Sequence, residues 1–315
     1  MAMPVATAQP IVGVDVAKDE LVIYHAQSDR LETIPNTKAD IKKWLKALPA
    51  PMDVAIEATN IYHQDFADLA YAHGCVIYMI GGYELSHYRK GVKMRAKTDA
   101  LDARLLARYL NNEGHQLHPW SPPSPLYCRL ISLFRRRAAL VQARVSLKQS
   151  WSNEPLLKTA FENQIKAMQR LEILLEKTIQ TQLDAAGLGS QLKRCMKVEG
   201  IGLLSGARLL TSFQRGDFRN ADAFIAFLGL DLRISDSGKK KGRRCLSKRG
   251  DPEARRLMHN AAMSASRTAA WKGFYEGLRS RGLSTTEALV ALARKLARVV
   301  FALLKNQSEY LPKGI

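Results

Sequence analysis

Acidic residues are in deficit in this 315-residue chain: 29 Asp and Glu stand against 48 Lys and Arg, a formal net charge of +19. So large an imbalance points to a polyanionic partner, nucleic acid before a membrane surface. Long apolar runs are missing as well. No uninterrupted stretch of about 18 apolar residues occurs, which argues against a membrane-spanning helix. The opening MAMPVATAQP has neither the charged nor the apolar region of a secretory leader. The expectation is a cytoplasmic protein without a membrane partner. Cysteine is sparse: Cys75, Cys128, Cys195 and Cys245 lie far apart and form no C-x-x-C pair. A zinc site or a disulfide framework is therefore not expected, and a reducing compartment fits. The seven histidines, His25, His63, His73, His87, His115, His118 and His259, show no H-E-x-x-H or other ligand spacing, so they read as surface or core residues.

What is present is an ordinary globular composition, 46% apolar and 24% charged, long enough for two or three domains. Its organising stretch is Lys97 to Tyr109, KTDALDARLLARY. Thr98 reads as a helix N-cap, Leu101, Leu105 and Leu106 repeat at helical spacing, and Asp99 and Asp102 fall in the first turn. Two acids that close need a cation between them. Arg95 or Arg104 would serve as a plain salt-bridge partner. Upstream, however, Asp15 and Glu57 each close a short β-rich run. Four carboxylates delivered by two strands and a helix are what a hard divalent cation requires; in phosphodiester cleavage one such cation can activate or orient the attacking oxygen while a second stabilises the leaving oxygen.

The first 118 residues read as strand, strand, strand, helix, strand, helix, strand, helix. The strands are PIVGVDVA, LVIYH, Leu31 to Ile34, Met52 to Ile56 and CVIYMI. This α/β order resembles the ribonuclease H fold, in which acids on the first strand, the fourth strand and the last helix converge on metal. Between the last strand and the acid-bearing helix, YRKGVKMRAK reads as a loop whose Arg89, Lys90, Lys93, Arg95 and Lys97 are placed to hold a phosphate backbone.

PWSPPSP, Pro119 to Pro125, marks a boundary that no helix or central strand accommodates. Residues 119–190 carry two helical apolar repeats, interrupted near Asn153 to Pro155, that suit either a coiled coil between subunits or a helical hairpin within one. Residues 191–315 read as mainly helical. VEGIG at Val198 to Gly202 resembles a helix-hairpin-helix turn that holds DNA phosphate, or is a tight helix connection. LRISDSGKKKGRRCLSKRGDPEARRL then sets seven basic residues among the eleven from Lys239 to Arg249. Lys239, Lys240, Lys241, Arg243, Arg244, Lys248 and Arg249 are candidates to clasp phosphate. Asp251 and Pro252 cap the helix that follows, and Ser284 to Glu287 forms a capping box for the last one. Ser235, Ser237 and Ser247 are each possible nucleophiles on this evidence. No His-Asp partner accompanies them, so activation would fall to the carboxylate-bound metal.

Taken together, GVDVAK at Asp15, IEAT at Glu57, KTDALDA at Asp99 and Asp102, VEGIG, FLGL, the Ser-Gly pair and LSKRG resemble the insertion-sequence 110 family of transposases, the bridge-RNA-guided recombinases. The order of motifs holds over nearly the whole chain. The resemblance implies a RuvC-like (ribonuclease H-fold) domain at 1–118, a helical coiled-coil region at 119–190 and a mainly α transposase domain at 191–315. It implies a D-E-D-D tetrad at Asp15, Glu57, Asp99 and Asp102 holding Mg2+ or Mn2+, and a serine nucleophile at Ser237. It further implies donor and target DNA and a non-coding bridge RNA as partners, a homodimer assembling into a tetramer, and a nucleoid-associated bacterial location. Three departures stand out: Asp231 and Leu232 follow Gly229-Leu230 where a proline is common, Asn60 follows E-A-T, and Ser150-Trp151 replaces a frequent Asn-Arg. Two other functions fit the residues alone: a metal-dependent junction endonuclease using water, or a non-catalytic nucleic-acid-binding protein.

Overall fold

The computed structural model describes residues 9–58, 61–94, 96–151, 154–233, 236–237, 242, 244–247 and 249–312. It divides into two compact units, 1–122 and 123–315.

The first unit is built on a mixed five-stranded sheet. Strands β1 (Ile11–Val16), β2 (Glu20–His25) and β3 (Arg30–Pro35) form an antiparallel meander. β4 (Asp53–Glu57) and β5 (Val76–Ile80) then add in parallel on the other side of β1, giving the order β3-β2-β1-β4-β5. Alternation along β1 and β4 sends Val12, Val14, Val54 and Ile56 to one face, where they pack with Ile41, Trp44 and Phe66 of helices α1 (Lys38–Lys46) and α2 (Gln64–Ala72). The opposite face carries Gly13, Asp15, Ala55 and Glu57 and is covered by α3 (Gly82–Gly91) and α4 (Asp99–Glu113) through Leu85, Leu105, Leu106 and Leu110. The sheet is thus a middle layer between two helical layers. The mixed α/β class expected from the sequence is what forms.

Helix α3 departs from that expectation, since its second half falls in the stretch read as a basic loop. Only Leu85 of its ten residues is buried, so no apolar stripe announces it. Trp120 belongs to this unit: its amide donates to the Ile77 carbonyl at 2.6 Å on the edge of β5.

The second unit has one core. Helices α5 (Pro125–Ser150) and α6 (Lys158–Ala185) run antiparallel, as the pairs Arg137–Glu176 (2.7 Å) and Arg144–Glu172 (2.5 Å) require. Their inner ends contribute Leu130, Phe134, Ile179 and Leu183 to the same core as α7 (Gly189–Met196), α8 (Leu203–Phe213), α9 (Ala221–Phe227), α10 (Pro252–Ala265), α11 (Ala269–Ser280) and α12 (Thr285–Asn306). Asp251 accepts from the amides of Glu253 (2.6 Å) and Ala254 (3.2 Å), and the Ser284–Glu287 box is complete, so both predicted caps form. A break at Ser266–Thr268 separates α10 from α11. The VEGIG turn is occupied by packing. Gly200 holds φ +90°, and a Cβ there would lie 2.7 Å from the Ala261 carbonyl, so the turn presses on α10.

Between α9 and α10 the chain forms a hairpin arm. Its stem is the two-residue pairing of β6 (Leu232–Arg233) with β7 (Cys245–Leu246). Gly229 and Gly250, both at positive φ, touch backbone to backbone at its foot: a Cβ on Gly229 would come 2.3 Å from the Arg249 carbonyl. None of the described helices is long and apolar enough to cross a membrane.

Candidate active site

Strand register brings the first two acids together. Val14 pairs with Ile56 across the parallel β1–β4 ladder, so Asp15 and Glu57, one residue further on, stand side by side at the carboxyl ends of both strands. The third and fourth come from α4, and a glycine determines how near. Gly13 shares a face with Asp15, and a Cβ on it would sit 2.0 Å from the Ala103 carbonyl oxygen and 2.6 Å from the Ala107 nitrogen. The backbone of α4 therefore lies directly on β1, with its first turn over Asp15. Thr98 caps that turn as expected, its hydroxyl accepting from the Leu101 amide at 3.3 Å. Asp99 is exposed, whereas Asp102, one turn on, is 4% exposed.

The four carboxylates sense one another. Burial first, and then the charges of Asp102, Asp99 and Glu57, push Asp15 up to about 6. Glu57 is also raised, by burial and then by Asp102, while Lys97 and Arg89 pull it back. Its carboxylate rests against the first turn of α3, where a Cβ on Gly82 would lie 2.6 Å from Oε1.

Among the described residues, a guanidinium enters this cluster. Arg89 lies one helical turn beyond the buried Leu85, on the same inward face, and its Nη1 stands 2.6 Å from Asp102 Oδ1. The side chains are 16% and 6% exposed, so the contact is largely removed from water. Its angles are not those of a hydrogen bond, and both buried atoms are left without an aligned partner. Arg104, a partner considered from sequence, is engaged instead by Asp29 and lies over the Tyr24 ring at 4.6 Å. Arg95 is outside the described residues.

The donor chemistry suits a hard divalent cation: the four acids offer carboxylate oxygens, one of them buried and without an aligned partner, and burial followed by neighbouring charge raises two of the acids. The acids are not arrayed as a finished ligand shell. Among the described residues no three His, Cys, Asp or Glu side chains converge closely enough to hold an ion.

Ser237 lies in the second unit, on the hairpin arm, and is exposed. Beside it Asp236 accepts from the Gly242 amide at 2.9 Å and from Arg244 at 2.5 and 2.9 Å, which holds its carboxyl below the usual range. Ser247 is occupied in the stem: its hydroxyl donates to Asp231 at 2.6 Å and accepts from the Arg249 amide. Ser235, Lys239, Lys240, Lys241, Arg243 and Lys248 lie outside the described residues. Lys90, Lys93, Lys97, Arg244 and Arg249 are exposed, whereas Arg89 turns inward to the acids.

Two residues were not singled out from the sequence for what they do here. Gly13 was visible as a glycine two positions before Asp15, hence on its face of the strand. Arg89 was visible as i+4 from Leu85, had the segment been read as helix.

The chain matches two family models. Residues 12–162, which contain all four acids, match a transposase model of the DEDD type of IS110, and residues 192–276, which contain Ser237, match the transposase IS116/IS110/IS902 family. It is 24% identical to the pilin gene-inverting protein of Moraxella bovis over 95% of this chain and 97% of that one. It is 26% identical to a probable family 20 transposase of Pseudomonas aeruginosa over 96% and 98% of the two chains. An uncharacterized 42 kDa protein of insertion element IS900 from Mycobacterium paratuberculosis is 29% identical over 37% of this chain and 30% of its own.

Proposed function

We propose, on the premise that this chain belongs to the IS110 family of transposases and is a DNA-recombining enzyme, that it breaks and rejoins DNA through a covalent phosphoserine at Ser237. The observation that carries the reading is the gathering of Asp15, Glu57, Asp99 and Asp102 on one sheet face, which strand order and the Gly13 contact both support. In this reading residues 1–118 form the RuvC-like metal-binding domain, 119–190 the helical region and 191–315 the transposase domain with its nucleophile.

The Ser237 Oγ attacks the scissile phosphorus. A P–Oγ bond forms, the bond from phosphorus to a bridging deoxyribose oxygen breaks, and the serine proton passes to a base while the leaving oxygen is protonated. Asp15, Glu57, Asp99 and Asp102 would hold a divalent cation, Mg2+ or Mn2+, which would supply Lewis-acid stabilisation of the charge on the phosphate. Lys90, Lys93 and Lys97 of the first unit, and the basic residues from Lys239 to Arg249 of the second, grip the backbone. Reversal of the attack by a second DNA end gives exchange. One relative is named for gene inversion and another for transposition, and both rearrangements consist of such breakage and rejoining.

The reading calls for hydroxyl and carboxylates to meet at one phosphate in the DNA-bound assembly, within one subunit or across two. The family resemblance extends it to a non-coding bridge RNA that pairs with donor and target DNA, and to a homodimer assembling into a tetramer. A second reading, a junction nuclease using water, draws support from the fact that all four acids sit in one compact unit.

The two part on a gel. With element-end DNA and Mg2+, the full chain should give a protein–DNA adduct that survives denaturation, and Ser237→Ala should bind DNA yet give none. An adduct persisting in Ser237→Ala overturns the assignment of Ser237. Cleavage by the wild-type chain without any adduct supports the water-using nuclease.

A further inference from the structure

The acidic centre already holds a cation, and it is a side chain of the protein. We infer that Arg89 is a built-in counter-ion which holds Asp102 in the metal-free protein and has to be displaced before the centre can take up a divalent cation. The inference rests on reading the four carboxylates as the metal site.

Position is the first argument. Arg89 Nη1 stands 2.6 Å from Asp102 Oδ1, and its charge also faces Glu57 and Asp15. These are three of the four groups proposed as ligands, so the guanidinium occupies the ground a metal ion would need.

The second argument is the quality of the contact. Arginine binds a carboxylate best through two parallel, aligned N–H donors. Here a single nitrogen is in contact, and neither it nor the buried oxygen has an aligned hydrogen-bond partner. The pair is a short charged contact of imperfect alignment, so a stronger point charge can replace it without breaking a well-aligned bidentate pair.

Charge counting is the third. Asp15, Glu57, Asp99 and Asp102 carry up to four negative charges, against one positive charge each on Arg89 and Lys97. A divalent ion neutralises more at shorter range.

The fourth is mechanical. α3 is tied to the helix that carries Asp99 and Asp102: Leu85 is buried against it, the Tyr88 and Tyr109 rings meet edge-to-face at 4.8 Å, and Asn112 donates to the Tyr88 hydroxyl at 2.8 Å. The helix can stay in place while the long Arg89 side chain alone swings out. Absence of a converged ligand shell among the described residues is then expected, because Asp102 is turned to the guanidinium. Arg89 acts through Asp102 and is a positioning residue.

The test is Mn2+ binding to the full chain without DNA, by titration calorimetry and by the loss of the free-ion paramagnetic resonance signal. Removing a competing charge at this range should tighten Mn2+ binding of Arg89→Gln about ten-fold relative to wild type. The same variant should melt lower than wild type in chelator and regain the loss when Mn2+ is added. Arg89→Lys, which keeps a charge on a shorter, more hydrated side chain, guards against misfolding of the first variant and should bind Mn2+ more tightly than wild type. If wild type binds Mn2+ but Arg89→Gln, or Arg89→Lys where Gln does not fold, binds no more tightly, the inference is overturned. If wild type and both variants bind none, or if Asp15→Asn binds as wild type does, the metal reading beneath it fails instead.

Discussion

At the acidic centre, four charged groups are brought onto one face by a parallel strand register, a capped helix and a glycine that lets two backbones touch. At Ser237 a neutral hydroxyl stands exposed on an arm joined to the fold by two-residue strands and a pair of glycines. The difference follows from what each group costs to place. Gathering like charges out of water is unfavourable, so many rigid contacts must oppose it. An exposed hydroxyl keeps its hydration and costs little to place. A scaffold spends packing energy where charge has to be confined, and little where a neutral hydroxyl is left to solvent.

The sharpest way to break the comparison is to attack the confinement. Gly13→Ala places a methyl 2.0 Å from the Ala103 carbonyl, a backbone contact that cannot yield by a rotamer change. It should destabilise the first unit by about 3 kcal/mol or more. Hydrogen exchange on the full chain should show β1, β4 and α4 amides losing protection while those of α10 and α12 keep theirs. Equal loss in both units, or none, would mean that the α4–β1 approach is not what holds the acids together.

A smaller effect of opposite sign is expected from the charges themselves. Asp15 stands near 6 in the fold against an ordinary value of 3.8. The native state therefore holds a proton that the unfolded state has released between about pH 4 and pH 6, and stability falls as pH rises through that window. Above it the penalty is complete. Two pKa units correspond to roughly 3 kcal/mol, reduced to about 2 kcal/mol by the partial exposure of the group. In chelator at pH 7.5, Asp15→Asn should thus be more stable than wild type by about 2 kcal/mol, with the difference vanishing near pH 4, even as the variant loses recombination. Denaturant melts at the two pH values decide it: a difference that does not change with pH would show that Asp15 is not strained by its neighbours.

Much of the acidic centre was legible in the sequence because its parts obey local rules. Thr98 is a capping hydroxyl before an apolar repeat, the strands are β-branched and short, and each acid ends an element or opens one. The Asp251–Pro252 and Ser284–Glu287 caps were readable on the same grounds. What was not legible depends on partners remote in the chain. α3 shows no stripe because it buries a single leucine, and Arg89 looks like any basic surface residue until α4 is laid beside it. The VEGIG turn read equally as a phosphate-holding turn or a tight helix connection, and what decides for the second, the pressure of α10 on Gly200, lies some sixty residues on. The break between α10 and α11 is equally silent, since the apolar pattern continues through it.

The smallest expected effect tests the other half of the comparison. Asp236 is solvent-exposed, and its pairing with Arg244 spans the arm next to Ser237. Exposed pairs contribute little to global stability, so Asp236→Asn should leave the melting temperature unchanged. The same substitution removes the charge that gathers Arg244 and the Gly242 amide beside the proposed nucleophile. Adduct formation on element-end DNA should then slow several-fold, with DNA binding retained. A drop in melting temperature would place Asp236 in the structural economy of the second unit. An unchanged adduct rate would show that the Asp236–Arg244 pairing does nothing for the hydroxyl beside it.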